Sequence, residues 1–230
     1  MEFKNKGFCI CCDQTVTFTS AYNWFRDHYR CNNCGSIPKE RALMTILEIF
    51  YPNWRGLKIH ESSPVWTGAS RKIRDGCKDY LPTMYYPEVK CGEMKDGFRC
   101  ENLEKLTFPD ETFDLHITSD VLEHVFYPEK AFQEIARTLK PGGAHVFTVP
   151  LVMENKVTRI RAIMDEQSKD VLHLEKSDYH GDHLVTIDWG YDITQFIYDK
   201  SGMESKMILI ENFDFGLKAE YNEVLISVKQ

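Results

Sequence analysis

A chain of 230 residues, 43% hydrophobic and 27% charged, has material for one full α/β core and a small appendage. Its net charge of −7 argues against a protein that holds nucleic acid over a broad surface, although the first 55 residues carry seven Lys/Arg against five acids and so leave room for a local basic face. No stretch reaches the ~18 to 20 apolar residues of a membrane span, and the start, MEFKNKGFCI, lacks the apolar centre of a signal peptide. A cytoplasmic location is expected, and with it eight cysteines that serve as metal ligands and core thiols instead of disulfides.

The first element is a cysteine module. Cys9-Ile10-Cys11-Cys12 and Cys31-Asn32-Asn33-Cys34 form two CxxC pairs separated by eighteen residues. A CxxC turn lets two thiolates converge on one tetrahedral ion, and a second turn closes the site. The expected ligands of a structural Zn2+ are therefore Cys9, Cys12, Cys31 and Cys34, with Cys11 left over; a redox CxxC or plain core thiols are the competing readings. Thr15 to Phe18 favour a strand, Trp24, Phe25 and Tyr29 offer aromatic bulk, and Gly35 lets the chain leave the second knuckle. Ser36 to Arg41 opens a helix with Leu43, Ile46, Leu47 and Phe50 on one face, closed by Tyr51-Pro52-Asn53.

The run from Phe108 to Pro150 reads as strand, acidic loop, helix, turn and strand. Phe113, Leu115 and Ile117 alternate with Asp114, His116 and Thr118, and the strand stops at Ser119-Asp120. Phe132, Ile135, Ala136 and Leu139 recur at helical spacing behind Pro128, Pro141-Gly142-Gly143 ends the helix, and Ala144 to Val149 is a buried strand. Such a unit is a right-handed crossover of a parallel sheet, whose ligands bind outside the carboxyl ends of the strands. After it comes a long segment between Leu151 and Ile193, with Arg159 and Arg161 expected on a helix, followed by a helix from Asp192 and an antiparallel pair, Met203 to Ile210 with Val224 to Val228.

The order FDL, DVLEHV, LKPGG and a strand ending in Pro resembles the second half of a class I S-adenosylmethionine-dependent methyltransferase, and the likeness extends from about Leu57 to the C-terminus. The cysteine segment in front resembles that of bacterial methyltransferases with an N-terminal zinc-binding module. The resemblance implies a doubly wound, mostly parallel seven-stranded sheet of Rossmann-like type with a small zinc ribbon. It divides the chain into a module at 1–37, a connecting helix at 38–55 and a methyltransferase domain at 56–230 with 151–192 as a substrate lid.

It also implies the cofactor site. A first strand Leu57 to His60 leads into Glu61-Ser62-Ser63-Pro64, where family members carry a glycine-rich loop; His60, Glu61, Ser62 and Ser63 are the expected contacts, with Glu61 toward the donor's ammonium group. No acid stands at the end of the second strand, where Thr83 or Met84 falls, so ribose recognition is left to backbone groups, Tyr85, Tyr86 or Glu61. Asn102, with Leu103, takes the adenine position. Asp120, Val121 and His124 shape the pocket beyond the fourth strand. Methyl transfer to a hydroxyl needs a base, and His180 in the insertion is the candidate, ahead of His173 and His183. The expected acceptor is a small-molecule or glycan hydroxyl; an RNA acceptor held by the zinc module, or a non-catalytic protein that kept the fold, are the alternatives.

Overall fold

The structure, a computed structural model, describes residues 2–165 and 167–230. At the N-terminus β1 (Phe3–Cys9) and β2 (Gln14–Ser20) form an antiparallel hairpin, and β3 (Arg30–Cys31) adds to β2 after the single-turn α1 (Phe25–His28). Gly35 leaves the second knuckle at φ 74°, in the left-handed region. The C-terminal segment returns to cover this module. A Cβ on Gly7 would stand 2.1 Å from the Asp214 carbonyl oxygen, so only glycine permits that approach.

Helix α2 (Pro38–Phe50) starts with Pro38 in its first turn, and the Glu40 carboxylate accepts from the Ile37 N–H at 2.8 Å. Leu43, Ile46 and Leu47 are buried as their spacing predicts; Met44 joins them, whereas Phe50 stays 47% exposed. The helix ties the two parts of the chain together. One apolar cluster runs from Cys9, Phe18 and Tyr29 through α2 to Ile59, Ile117 and Val146 of the main sheet.

That sheet contains β4 (Lys58–Ser62), β5 (Asp79–Met84), β6 (Met94–Lys95), β7 (Phe98–Cys100), β8 (Phe113–Ser119), β9 (Leu139–Thr148), β16 (Glu204–Ile208) and β17 (Val224–Val228). Its order is β16-β17-β9-β8-β4-β5-β7-β6, with the strands from β9 to β7 parallel and both flanks antiparallel. It has eight strands, not the expected seven, because the two-residue β6 folds back on β7. Helices α2 and α3 (Gly68–Gly76) share one apolar cluster with the sheet, while α4 (Pro128–Thr138) and α5 (Ile193–Ser201) share the other. Phe132 and Ile135 of α4 are fully buried, each worth roughly 1.5–3 kcal/mol. The helix ends at Thr138, before Pro141-Gly142-Gly143. Those residues instead loop out of β9, where the ladder jumps from Phe113–Leu139 to Leu115–Ala144.

Between β9 and α5 the described residues form short antiparallel pairs rather than a helix: β10 (Arg159–Ile160) with β15 (Ile187–Asp188), and between them β11 (Ala162–Met164) with β12 (Val171–His173) and β13 (Tyr179–His180) with β14 (His183–Leu184). Arg159 and Arg161 sit on or beside a strand because both bind the buried Asp188 carboxylate, Arg161 at 2.9 Å. The base of the insertion is anchored, since Thr186 donates to the Glu123 and Val125 carbonyls and Trp189 to that of Leu122. No helix among the described residues is long and apolar enough to cross a membrane.

Candidate active site

A cavity of about 1040 Å³ opens outside the carboxyl ends of β4, β5, β7, β8 and β9, the place this sheet topology predicts. Ser62, Ser63, Asn102, Leu103, Asp120, Val121, His124 and His180 all line it. Its floor is strained where the expected loop begins. Ser63 sits at φ 57° and Asp120 at φ 53°, the left-handed region that L-residues rarely adopt. The glycine-poor loop thus keeps a glycine-like backbone, fixed by the Ser63 N–H donating to the Thr83 carbonyl at 2.8 Å.

His60 and Glu61 are placed elsewhere, against the sequence expectation. Side chains alternate along β4, so His60 and Ser62 share one face; Ser62 at the strand end reaches the cavity while His60, two residues earlier, lies against the middle of the sheet. There, register aligns His60, His116 and His145 across β4, β8 and β9, all fully buried. His60 Nδ1 and His116 Nδ1 are 2.7 Å apart, and their far nitrogens meet Thr83 and Thr138 at 2.8 Å. Burial pushes His60 and His145 down to about 3, so both are neutral in the fold. Glu61 points to the opposite face, where Ser70 donates to it at 2.5 Å and Tyr80 at 2.7 Å; burial raises its carboxyl to about 7.

Asn102 faces the cavity with its Oδ1 already accepting from the Glu104 N–H at 2.8 Å, an Asx turn that leaves the amide hydrogens unspent. Met84 and Tyr85 line the wall at the end of β5, and Tyr85 is 52% exposed.

Unforeseen from the sequence, the N-terminal module reaches into the same cavity. Arg26 Nη2 donates to both Asp120 oxygens at 2.9 and 2.8 Å, Lys39 Nζ to one of them at 2.5 Å, and Thr148 Oγ1 to the other at 3.0 Å. Burial alone would raise the Asp120 carboxyl; the two cations outweigh it and hold it well below the usual carboxylate range. Arg26 also donates to the Tyr221 carbonyl, which locks the C-terminal segment to this corner.

In the module itself the sulfurs of Cys9, Cys12, Cys31 and Cys34 all lie within 4.8 Å of one another, with Cys9 to Cys34 at 3.7 Å and Cys12 to Cys31 at 3.9 Å. Ligands about 2.3 Å from a tetrahedral ion stand about 3.8 Å apart, so the spacing fits one ion. Hydrogen bonding from Cys11 and its other neighbours drives the Cys9 thiol far down, while burial pushes Cys12 up to about 11: thiols gathered this closely compete for a single negative charge. Cys11 is buried beside the four and is not part of the set.

On the other side of the cavity the insertion brings His180 beside the DVLEH loop. Glu123, which the sequence reading passed over, is 1% exposed, and Glu123 Oε1 lies 3.7 Å from both His124 Nε2 and His180 Nδ1. The Glu123 carboxylate raises the pKa of His180 against the effect of burial. His124 Nδ1 lies 2.8 Å from the Leu184 carbonyl, to which it must donate, which leaves Nε2 as the nitrogen facing Glu123. An acid next to a histidine was visible in the sequence; its burial and the approach of His180 were not.

Residues 79–147 match the family described as "Methyltransferase domain". Among curated proteins, the ubiquinone/menaquinone biosynthesis C-methyltransferase of Hydrogenovibrio crunogenus is 55% identical over 42 residues, 18% of this chain and 16% of that protein. An uncharacterized methyltransferase of Schizosaccharomyces pombe is 48% identical over 47 residues, 20% and 17% of the two chains. The match thus spans about a sixth of the length of these relatives. Among solved structures, an S-adenosylmethionine-dependent methyltransferase from Mesorhizobium loti superposes with a TM-score of 0.54 at 18% identity, over 82% of this chain and 98% of the other. A Listeria monocytogenes protein assigned to the same class gives 0.53 at 13% identity, with the same coverage. The local sequence match and the fold around it agree: residues 79–147 match a methyltransferase domain, and the sheet that contains them has the fold of these methyltransferase structures.

Proposed function

We propose that this protein transfers a methyl group from S-adenosylmethionine to a hydroxyl of a small molecule or glycan. The observation that carries the reading is the cavity itself, which has strained strand ends and an unspent amide on one side and three histidines, His124, His180 and His183, on the other. Ser62 and Ser63 would cradle the amino-acid end of the donor. Asn102 would donate to the adenine ring, and the Tyr85 hydroxyl, on the cavity wall, would meet the ribose. Bound there, the cofactor supplies a methyl group already activated on a sulfonium. The chain's own residues then align the acceptor, exclude water and take its proton. His180, which opens onto the cavity, is the base in this reading, and the insertion at 151–192 is the lid that brings it. The four cysteines would hold a structural Zn2+ that fixes Arg26 and Lys39 against Asp120.

An RNA acceptor has less support. Arg41 is spent on the Gly216, Ser36 and Tyr29 carbonyls, Arg26 and Lys39 on Asp120, and Lys4 on Glu2. Across the larger groove between the module and α3, Arg55 and Lys72 are tied to Glu48 and Arg71 to Asp75. Few cations in either place are free for phosphates. Titration calorimetry of the full chain with S-adenosylhomocysteine tests the proposal: one site per chain is expected, and no heat together with no thermal shift at millimolar ligand would overturn it.

A further inference from the structure

We infer that Glu123, His124 and His180 form a divalent-cation site at the acceptor side of the cavity, separate from the four cysteines. Three observations meet there. One carboxylate oxygen and two ring nitrogens lie within 4.8 Å of one another. Glu123 is buried, and neither of its oxygens has a hydrogen-bond partner among the described residues. A buried carboxylate left in that state is costly, and the two imidazoles, each 3.7 Å from Oε1, are too far for hydrogen bonds. His124 is also prepared as a ligand, since donation from Nδ1 to the Leu184 carbonyl fixes the tautomer and aims a lone pair from Nε2 toward Glu123.

Ligands of an ion about 2.1 Å away stand roughly 3.0 to 3.4 Å apart in octahedral or tetrahedral geometry. The two 3.7 Å distances from Glu123 would shorten to that range, and the two ring nitrogens, no more than 4.8 Å apart, would draw in with them. Two imidazoles and one carboxylate suit Mn2+ or Zn2+ better than Mg2+ or Ca2+, which favour all-oxygen sets. Three protein ligands leave coordination positions open, and both histidines line the cavity.

The inference rests on the proposed methyl transfer and changes one assignment within it: His180 is a ligand, and the cation polarises the acceptor hydroxyl. The hydroxyl proton passes to solvent, the oxygen's electron pair forms the new C–O bond, and the pair of the breaking C–S bond stays on sulfur. The test uses the full chain with its cysteine-bound metal retained. Mn2+ is titrated by electron paramagnetic resonance into wild type, Glu123→Gln and His180→Ala, and S-adenosylhomocysteine binding is measured in parallel by calorimetry. One Mn2+ per chain is expected in wild type, with affinity falling tenfold or more in both variants while S-adenosylhomocysteine still binds. Absence of a wild-type Mn2+ site, or wild-type affinity in either variant, overturns the inference. Loss of S-adenosylhomocysteine binding by wild type would instead sink the methyl-transfer reading, so the two failures are told apart.

Discussion

Replacing Glu61 by Gln should stabilise the protein at neutral pH and leave the cofactor site intact. Its carboxyl has an ordinary value of 4.5 and is raised to about 7 in the fold, because burial outweighs the hydrogen bonds from Ser70 and Tyr80. Between those two values the folded chain holds a proton that the unfolded chain has released, so stability falls as pH rises through the window. At 1.36 kcal/mol per pH unit the 2.5-unit difference amounts to about 3 kcal/mol by pH 7. Glutamine keeps the shape without the charge. Thermal and urea unfolding of both proteins from pH 4.5 to 8 should give curves that coincide at the acid end. The variant should then gain about 1.4 kcal/mol per unit up to pH 7 and level off, a difference of roughly 6 to 12 °C in midpoint for a chain of this size. The other titrating groups are common to both proteins and cancel in the difference. A flat difference, or a wild type more stable at pH 8, would refute the reasoning. Because the Glu61 side chain is held away from the cavity by Ser70 and Tyr80, S-adenosylhomocysteine affinity should change by less than about twofold; a tenfold loss, about 1.4 kcal/mol, would restore Glu61 as a ligand of the donor.

The cysteine set predicts that Cys12→Ser loses zinc while Cys11→Ser retains it, checked by metal analysis of the purified variants; the reverse result excludes the assignment. The neutral histidines of the sheet work in the direction opposite to Glu61. With His60 and His145 at about 3 against an ordinary 6.5, the unfolded chain binds protons that the fold refuses, so stability is lost as pH falls below 6.5, by roughly 2 kcal/mol for each by pH 5. A His145→Gln variant should therefore show a shallower decline in urea midpoint from pH 6.5 to 5, and an unchanged slope would count against burial as the cause. If His180 acts as the base, methyl transfer should rise with pH through an inflection above 6.5, since Glu123 raises its pKa, and His180→Ala should slow turnover roughly a hundredfold or more with cofactor affinity preserved. A pH-rate profile that is flat from 6 to 9, or an alanine variant at full rate, would remove it from that role.

Features whose chemistry is local were legible in the residues alone. Two CxxC turns bring thiols together whatever surrounds them, and the period of Phe113, Leu115 and Ile117 followed by the spacing of Phe132 and Ile135 dictates strand and helix, since each repeat reflects one element's geometry. The cavity's position followed from the same reading, because the ends of parallel strands share one edge of the sheet. Which way side chains face, and what crosses between distant segments, was settled by packing in three dimensions. His60 and Glu61 occupy adjacent positions on one strand, and only the pairing of β4 with its neighbours sends one into a histidine ladder and the other against Ser70. The insertion yields little helical or strand periodicity over its two- and three-residue strands, so its hairpins were illegible, and Arg159 was misplaced on a helix. Arg26 and Lys39 read as a surface basic patch because nothing in their surroundings along the chain announces Asp120, 94 and 81 residues away. A buried charge selects its partner through space, and that selection joins the cysteine module to the floor of the cavity.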